Sequence, residues 1–189
     1  MLRFLLTGVM VCLAALGAQR PQFSLRDTRG VLHSPEEWNG KKAIVVFFTT
    51  TDCPLSNNEV PEMNRTRRDY ESRGVAFYAV QADTTITDAD VVQHTKDYQF
   101  SFPVLFDPHQ VLAKMTGATT IPSAAVLTPA GSLLYLGRID NLVEDFNVRR
   151  QAPTKFDLRA ALDAVLAGKP VPNARTKAFG CAITPITGR

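Results

Sequence analysis

Two segments of this chain are apolar at every position, and they frame the rest. Ala43-Ile44-Val45-Val46-Phe47-Phe48 and Val75-Ala76-Phe77-Tyr78-Ala79-Val80 are rich in β-branched and aromatic side chains. A strand with one wet face alternates apolar and polar, so an uninterrupted run predicts a strand covered on both faces by helices. Between the two runs, Pro54 to Arg73 has helical spacing through Val60, Met63, Arg67 and Tyr70, and Gly74 ends it. Asp88–Tyr98 predicts a second helix with Thr87 as its N-cap, Pro103–Asp107 a short strand, and Val111–Met115 a short helix stopped by Gly117. Ser123–Leu127 and Leu133–Leu136 predict two strands joined through the turn residues Thr128-Pro129-Ala130-Gly131. Phe156–Leu166 predicts a last helix with Leu158, Ala161, Leu162 and Val165 on one face. Ahead of the first buried strand, Phe23–Asp27 and Val31–His33 flank a turn as a small hairpin, and Pro35 opens one helical turn. Gly137 to Pro153 reads as a long polar loop, and residues 169–189 as a tail. This order is a layered α/β arrangement with a parallel and an antiparallel part, in one domain over residues 20–168.

Residues 1–19 differ in kind. Arg3 is followed by the apolar run Phe4–Leu16 and by the small residues Ala14, Ala15, Gly17 and Ala18, the pattern of a cleaved secretory signal. The run is shorter than the roughly 20 residues of a bilayer span, so no stable membrane span is expected after cleavage. Composition adds little beyond exclusions. With 21 basic against 18 acidic residues the net charge is +3 and no basic run accumulates, which argues against nucleic acid as a partner. At 45% hydrophobic and 21% charged, the balance is that of an ordinary globular domain.

Of the 3 cysteines, Cys12 belongs to the signal, which leaves Cys53 and Cys181. Their spacing fits no metal site, and no cofactor is expected. Cys53 stands where a buried strand ends and a helix begins. Amides and the positive dipole end at a helix N-terminus favour a thiolate, and ligands of α/β sheets bind at the carboxyl ends of strands. Thr49, Thr50 and Thr51 put hydroxyls in the same connection, Pro54 fits the first helical position, and Asp83 follows the second buried strand.

The segment Val45-Val46-Phe47-Phe48, then Cys53-Pro54-Leu55-Ser56-Asn57-Asn58-Glu59-Val60-Pro61, resembles the redox-site segment of thioredoxin-like proteins. There a buried strand leads to C-x-x-C-x-x-E-x-P, and Cys53, Glu59 and Pro61 fall in register. Thr120-Ile121-Pro122-Ser123 is similar to the family's cis-proline loop. Asp27 with Gly30, and Leu127 through Gly131, resemble the opening and the hairpin of the exported redoxin branch, the alkyl hydroperoxide reductase and thiol-specific antioxidant-like proteins, with Pro129 replacing the hairpin's usual acidic residue. The resemblance covers roughly residues 22–167. It implies a thioredoxin-like α/β fold: a central mixed sheet flanked by helices, an N-terminal β-hairpin and an extended C-terminal tail.

The resemblance also implies a thiol-dependent oxidoreductase, exported to the periplasm or the exterior of a bacterium. In it Cys53 attacks a peroxide or a substrate disulfide, Pro54, Ile121, Pro122 and Arg138 border the substrate, and an external dithiol resets the thiols. Ser56 stands where the second cysteine of C-x-x-C belongs, so Cys53 has no dithiol partner within that motif. Thr50-x-x-Cys53 resembles the peroxiredoxin T-x-x-C, in which Thr50 and an arginine (Arg138, Arg149 or Arg150) would polarise a peroxide, although Val46 replaces the proline usual before it. Gly180-Cys181-Ala182-Ile183 resembles the ending of some exported redoxins with a single active-site cysteine. Cys181 is thus a candidate resolving cysteine, the alternatives being a static bond to Cys53 or two thiols that never meet. A second reading is a copper-binding module using Cys53, Cys181 and one of His33, His94 and His109.

Overall fold

A computed structural model of the protein describes residues 21–81, 83, 85–145 and 148–186. The expected signal at residues 1–19 lies outside them. A two-stranded hairpin, β1 (Leu25–Arg26) and β2 (Leu32–His33), leads through the 3-10 turn Pro35–Trp38 into β3 (Ala43–Thr49). Helix α1 (Pro54–Tyr70) and a 3-10 turn (Glu71–Arg73) connect β3 to β4 (Val75–Gln81). Then come α2 (Asp88–Asp97), capped by the Thr87 side chain, β5 (Val104–Phe106), α3 (Val111–Thr116) and the short β6 (Thr120–Ile121). β7 (Ser123–Leu127) and β8 (Leu133–Gly137) form the second hairpin. β9 (Val143–Asp145), β10 (Val148–Arg149), α4 (Asp157–Leu166) and β11 (Cys181–Ala182) follow.

The central sheet has five strands in the order β5-β4-β3-β7-β8. β3 runs parallel to β4, from Ala43 opposite Val75 to Thr49 opposite Gln81, and antiparallel to β7. Every residue of β3 is buried, as its unbroken apolar run predicts. The pleat sends alternate side chains to opposite faces. Ala43, Val45 and Phe47 meet Met63 and Tyr70 of α1 and Leu158, Ala161 and Leu162 of α4. Ile44, Val46 and Phe48 meet Trp38, Leu112 and Ala113 on the other face. Full burial of one such aliphatic or aromatic side chain stabilises by about 1.5–3 kcal/mol, so the two half-cores together fix β3 firmly. Arg159 ties α4 across α1, donating to Glu62 at 2.6 Å and Asp69 at 2.8 Å.

One expectation needs correction. The stretch from Gly137 to Pro153 is not a plain loop, because β9 and β10 pair within it. Its organiser is Asn141, fully buried, whose Oδ1 accepts from the amides of Thr154 and Lys155 at 2.8 Å each. The extended C-terminal tail is docked against the sheet. The Leu136 amide donates to the Ala174 carbonyl at 2.9 Å and the Thr176 amide to the Leu136 carbonyl at 3.2 Å, so the segment runs beside the outer edge of β8. Thr176 Oγ1 also pairs with the Tyr135 hydroxyl at 2.6 Å and accepts from the Arg138 amide at 3.1 Å.

This docking depends on Gly137, where a Cβ would stand 2.6 Å from the Thr176 carbonyl oxygen and 2.8 Å from its amide nitrogen. Both atoms are backbone and cannot step aside without moving the strap. Gly137→Ala is therefore expected to lift residues 174–176 from β8 while the central sheet persists. Limited proteolysis should then cut between Ala167 and Cys181 many times faster than in the parent protein, with the unfolding midpoint lowered by much less than loss of a core side chain would cause.

Candidate active site

β3 ends at Thr49, and after a connection of four residues the chain enters α1 at Pro54. The turn is held from above: Asn57 in the first turns of α1 donates to the Thr51 carbonyl at 3.0 Å, and Thr51 Oγ1 donates to Asp52 at 2.6 Å. Cys53 is the N-cap residue of α1, with extended φ and ψ of −97° and 106°, and Pro54 takes the first helical position. Its sulfur therefore lies at the end of the helix that favours negative charge. Across from it, Ile121-Pro122 is a cis peptide bond, as the resemblance implies, and Cys53 Sγ lies 3.7 Å from the Ile121 carbonyl oxygen.

Cys181, 128 residues along the chain, is disulfide-bonded to Cys53 with the Cα atoms 6.5 Å apart. The alternative in which the two thiols never meet is thereby removed. β11 delivers the second sulfur by pairing antiparallel with β6, Cys181 opposite Ile121 and Ala182 opposite Thr120. Beyond the bond, the Ile183 amide donates to the Thr119 carbonyl at 2.9 Å, and its side chain is buried beside Leu112 and Ile121. Gln110 Nε2 donates to the Thr184 carbonyl at 2.7 Å. Cys53 is wholly buried beneath this strap, whereas Cys181 is exposed.

A cavity of about 130 Å³ opens beside the sulfurs, lined among others by Thr50, Asp52, Cys53, Asp83, Ile121 and Cys181. Thr50 and Asp83 are thus placed at the site, Thr50 Oγ1 accepting from Gln81 Nε2 at 3.5 Å. No arginine is among the described residues lining this cavity. Arg138 lies in the neighbouring recess with Leu55, Glu59, Pro122, Asp140 and Phe179, and donates to Asp157 at 2.7 Å. Arg150 is paired with Glu144, and Arg149 is exposed. Two of the three histidines are engaged elsewhere: His33 with Asp27 and Glu37, His94 with Asn57 at 2.8 Å. Among the described residues no three His, Cys, Asp or Glu side chains are grouped to hold a metal ion.

Two features carried weaker signals in the sequence. Glu59 is buried at the rim of this second recess, and burial pushes its carboxyl from the ordinary 4.5 up to about 8, reinforced by Asp140 and Glu62 and opposed by Arg65 and Arg149. The sequence placed Glu59 in register but could not show that Asp140 approaches it from another element. Ser56, one turn into α1, is buried with its hydroxyl unpartnered among the described residues. A buried hydroxyl in that condition costs about 1–3 kcal/mol, whereas a thiol there behaves as a small hydrophobe.

Two thiols, one at a helix N-terminus and the other carried to it by a strand, support reversible thiol–disulfide chemistry, and the sheet that bears them is thioredoxin-like. The protein is a thiol-dependent oxidoreductase of thioredoxin-like fold. The chain belongs to the AhpC/TSA family, which it matches over residues 16–136, so the match ends before Cys181. Relatives include the thiol-disulfide oxidoreductase ResA of Bacillus thuringiensis subsp. konkukian, 28% identical over 119 residues, 63% of this chain and 67% of the relative. ResA of Halalkalibacterium halodurans is 27% identical over 137 residues, 71% of this chain and 76% of the relative. Among solved structures, an uncharacterized conserved protein from Geobacillus kaustophilus aligns over 94% of this chain and 96% of its own at TM-score 0.77 and 26% identity. A thiol:disulfide interchange protein from Chlorobium tepidum aligns over 82% of this chain and 97% of its own, at TM-score 0.55 and 22% identity, a likeness of fold.

The Glu59 environment has a pH signature. Between 4.5 and about 8 the folded carboxyl keeps its proton while the unfolded one has lost it. The folded state then binds more protons, and stability falls as pH rises through that window. Glu59→Gln is expected to flatten the decline, so that urea midpoints at pH 5 and pH 8 differ less than in the parent. Ser56→Cys tests the slot beside Cys53. The new thiol sits at the third helical position, within one turn of the N-cap. Peptide mapping of the air-oxidised variant should find a bond from Cys53 to the introduced thiol competing with Cys53–Cys181.

Proposed function

We propose that the chain works outside the cytoplasm, periplasmic or secreted, as a thiol–disulfide exchange enzyme in which Cys53 is the nucleophile and Cys181 the resolving cysteine. Residues 1–19 would serve as its signal, residues 20–168 as the redox domain, and residues 169–189 as the strap that brings Cys181 to the site. The observation that carries this reading is the Cys53–Cys181 bond at the N-terminus of α1. Exchange with a disulfide is favoured over attack on a peroxide, since the cavity beside the sulfurs has Thr50 but no arginine among its described lining residues, and Arg138 is held by Asp157.

In the forward direction the Cys53 thiolate attacks one sulfur of a substrate disulfide, joining to it and expelling the other as thiolate. The Cys181 thiolate then attacks Cys53, closing the internal bond and releasing the first substrate sulfur. The substrate is reduced by two electrons and the enzyme pair is oxidised by two. An external dithiol reverses the last change. Because Cys53 is buried and Cys181 exposed, its thiolate attacks Cys181, and Cys53 leaves as the thiolate that the helix stabilises. A second attack within the dithiol frees Cys181.

The test maps adducts. Oxidised full-length protein is mixed briefly with excess glutathione, quenched with N-ethylmaleimide and digested. Glutathione on Cys181 and maleimide on Cys53 are expected; the opposite labelling would overturn the order of attack. In steady-state reduction of a disulfide substrate, Cys53→Ser should abolish turnover. Cys181→Ser should slow it at least ten-fold and accumulate a Cys53–substrate mixed disulfide. Full activity of Cys53→Ser would defeat the reading, and rapid trapping of a Cys53 sulfenic acid by hydrogen peroxide would return the peroxide branch.

A further inference from the structure

Resting on that reading, the way the strap sits over Cys53 carries information about what the enzyme acts on. With the strap in place Cys53 is wholly buried, and the backbone edge of β6 is taken up by β11. A protein disulfide can reach the Cys53 sulfur only after residues 180–186 have left. The vacated groove then offers the Thr119 carbonyl, the edge of Thr120–Ile121 and two side-chain positions.

Three features of the strap define that groove. Gly180 crosses directly over the cis-proline loop: a Cβ there would collide with the Ile121 carbonyl oxygen, 2.8 Å from its carbon and 3.0 Å from Pro122 Cδ. Two residues beyond Cys181, Ile183 is buried within the core cluster of Leu112, Ala118 and Ile121. Two residues before it, Phe179 is half-buried in the recess with Leu55, Pro122 and Ile139. In an extended segment residues two apart share a face, so Cys181 and Ile183 occupy one side of β11 and its continuation, while Phe179, beyond Gly180 with its φ of 155°, enters a recess of its own.

We propose that the strap is a built-in pseudosubstrate. The groove it fills is a peptide-binding site for extended polypeptide segments with the pattern aromatic-Gly-Cys-x-aliphatic, seated antiparallel on Thr120–Ile121. The substrate class is therefore a protein disulfide with one cysteine in an unfolded or edge-strand segment, not a small-molecule disulfide. Binding of substrate and docking of residues 180–186 are mutually exclusive, so closure of the Cys53–Cys181 bond also expels the product. Thr176 remains anchored on β8 while the part beyond it swings. This arrangement is one of strand addition, in which main-chain hydrogen bonds supply affinity and alternate side chains supply selectivity.

The test uses the chain with Cys12→Ser and Cys181→Ser, reduced, so that Cys53 is the one remaining thiol. Synthetic peptides carry thionitrobenzoate on the cysteine of Phe-Gly-Cys-Ala-Ile, and release of the yellow thiolate is followed. Two further peptides replace the glycine by valine or the isoleucine by serine, and Ellman's reagent serves as a small probe. The parent peptide is expected to react at least ten-fold faster than either altered one. Equal rates for the three peptides, with Ellman's reagent still reacting, would overturn the groove while leaving Cys53 as nucleophile. Silence toward Ellman's reagent as well would sink both readings. A second variant, Gly180→Val with Cys12→Ser and Cys181→Ser, should undock the strap and raise the rate with the parent peptide several-fold; an unchanged rate would show that the strap does not obstruct the groove.

Discussion

β3 is hydrogen-bonded on both edges and covered on both faces, and the position of the reactive sulfur follows from that double constraint. A strand at the edge of a sheet can twist or fray. One between β4 and β7, buried at every residue, cannot shift its end without disturbing two half-cores at once. Its last residue, Thr49, therefore presents a fixed starting point for the turn into α1, and Cys53 inherits that placement. On the opposite side Pro122 immediately precedes β7, the other neighbour of β3. The two halves of the site thus hang from adjacent strands of one ladder, which is why residues far apart in the chain hold their relative geometry.

Most of this frame was legible in the sequence because it rests on local signals. Continuous apolar runs marked β3 and β4, Thr87 and Gly74 marked helix ends, and a strand-to-helix junction singled out Cys53. The proline after Ile121 was informative through resemblance. What could not be read rests on contacts between distant segments. β9 and β10 are short, their residues partly exposed, and the region holds its shape through Asn141, whose partners Thr154 and Lys155 lie beyond both strands. The strap has no periodicity because it is organised by edges it meets one after another: β8, then β6, then Gln110. Gly137 shows the difficulty plainly, since its need for no side chain arises from Thr176 and from nothing beside it in the chain.

The position of Ser56 shows how the site differs from a C-x-x-C centre without abandoning its geometry. The slot in the first turn of α1 remains closed to solvent and holds a hydroxyl that gains nothing from it. The partner thiol comes instead from the far end of the chain, after the last helix. This separates two sulfurs that a C-x-x-C pair holds in one turn: Cys53 belongs to the rigid frame, and its partner to a segment that lies along the edge of β6.

The anchor of that segment at Thr176 has a consequence for how the internal bond reforms. The two cysteines are 128 residues apart, yet only residues 177–180 separate the docked threonine from Cys181. The search that Cys181 makes for Cys53 is therefore that of a very short tether and not of a long loop. Short flexible tethers hold their ends together at effective concentrations of roughly millimolar or above. A soluble thiol far below that level competes poorly for an adduct on Cys53. In the proposed cycle the commitment of each turnover is then set by the length of chain between Thr176 and Cys181, and lengthening that stretch would slow internal closure and leave the adduct open to outside thiols, with no change in either sulfur.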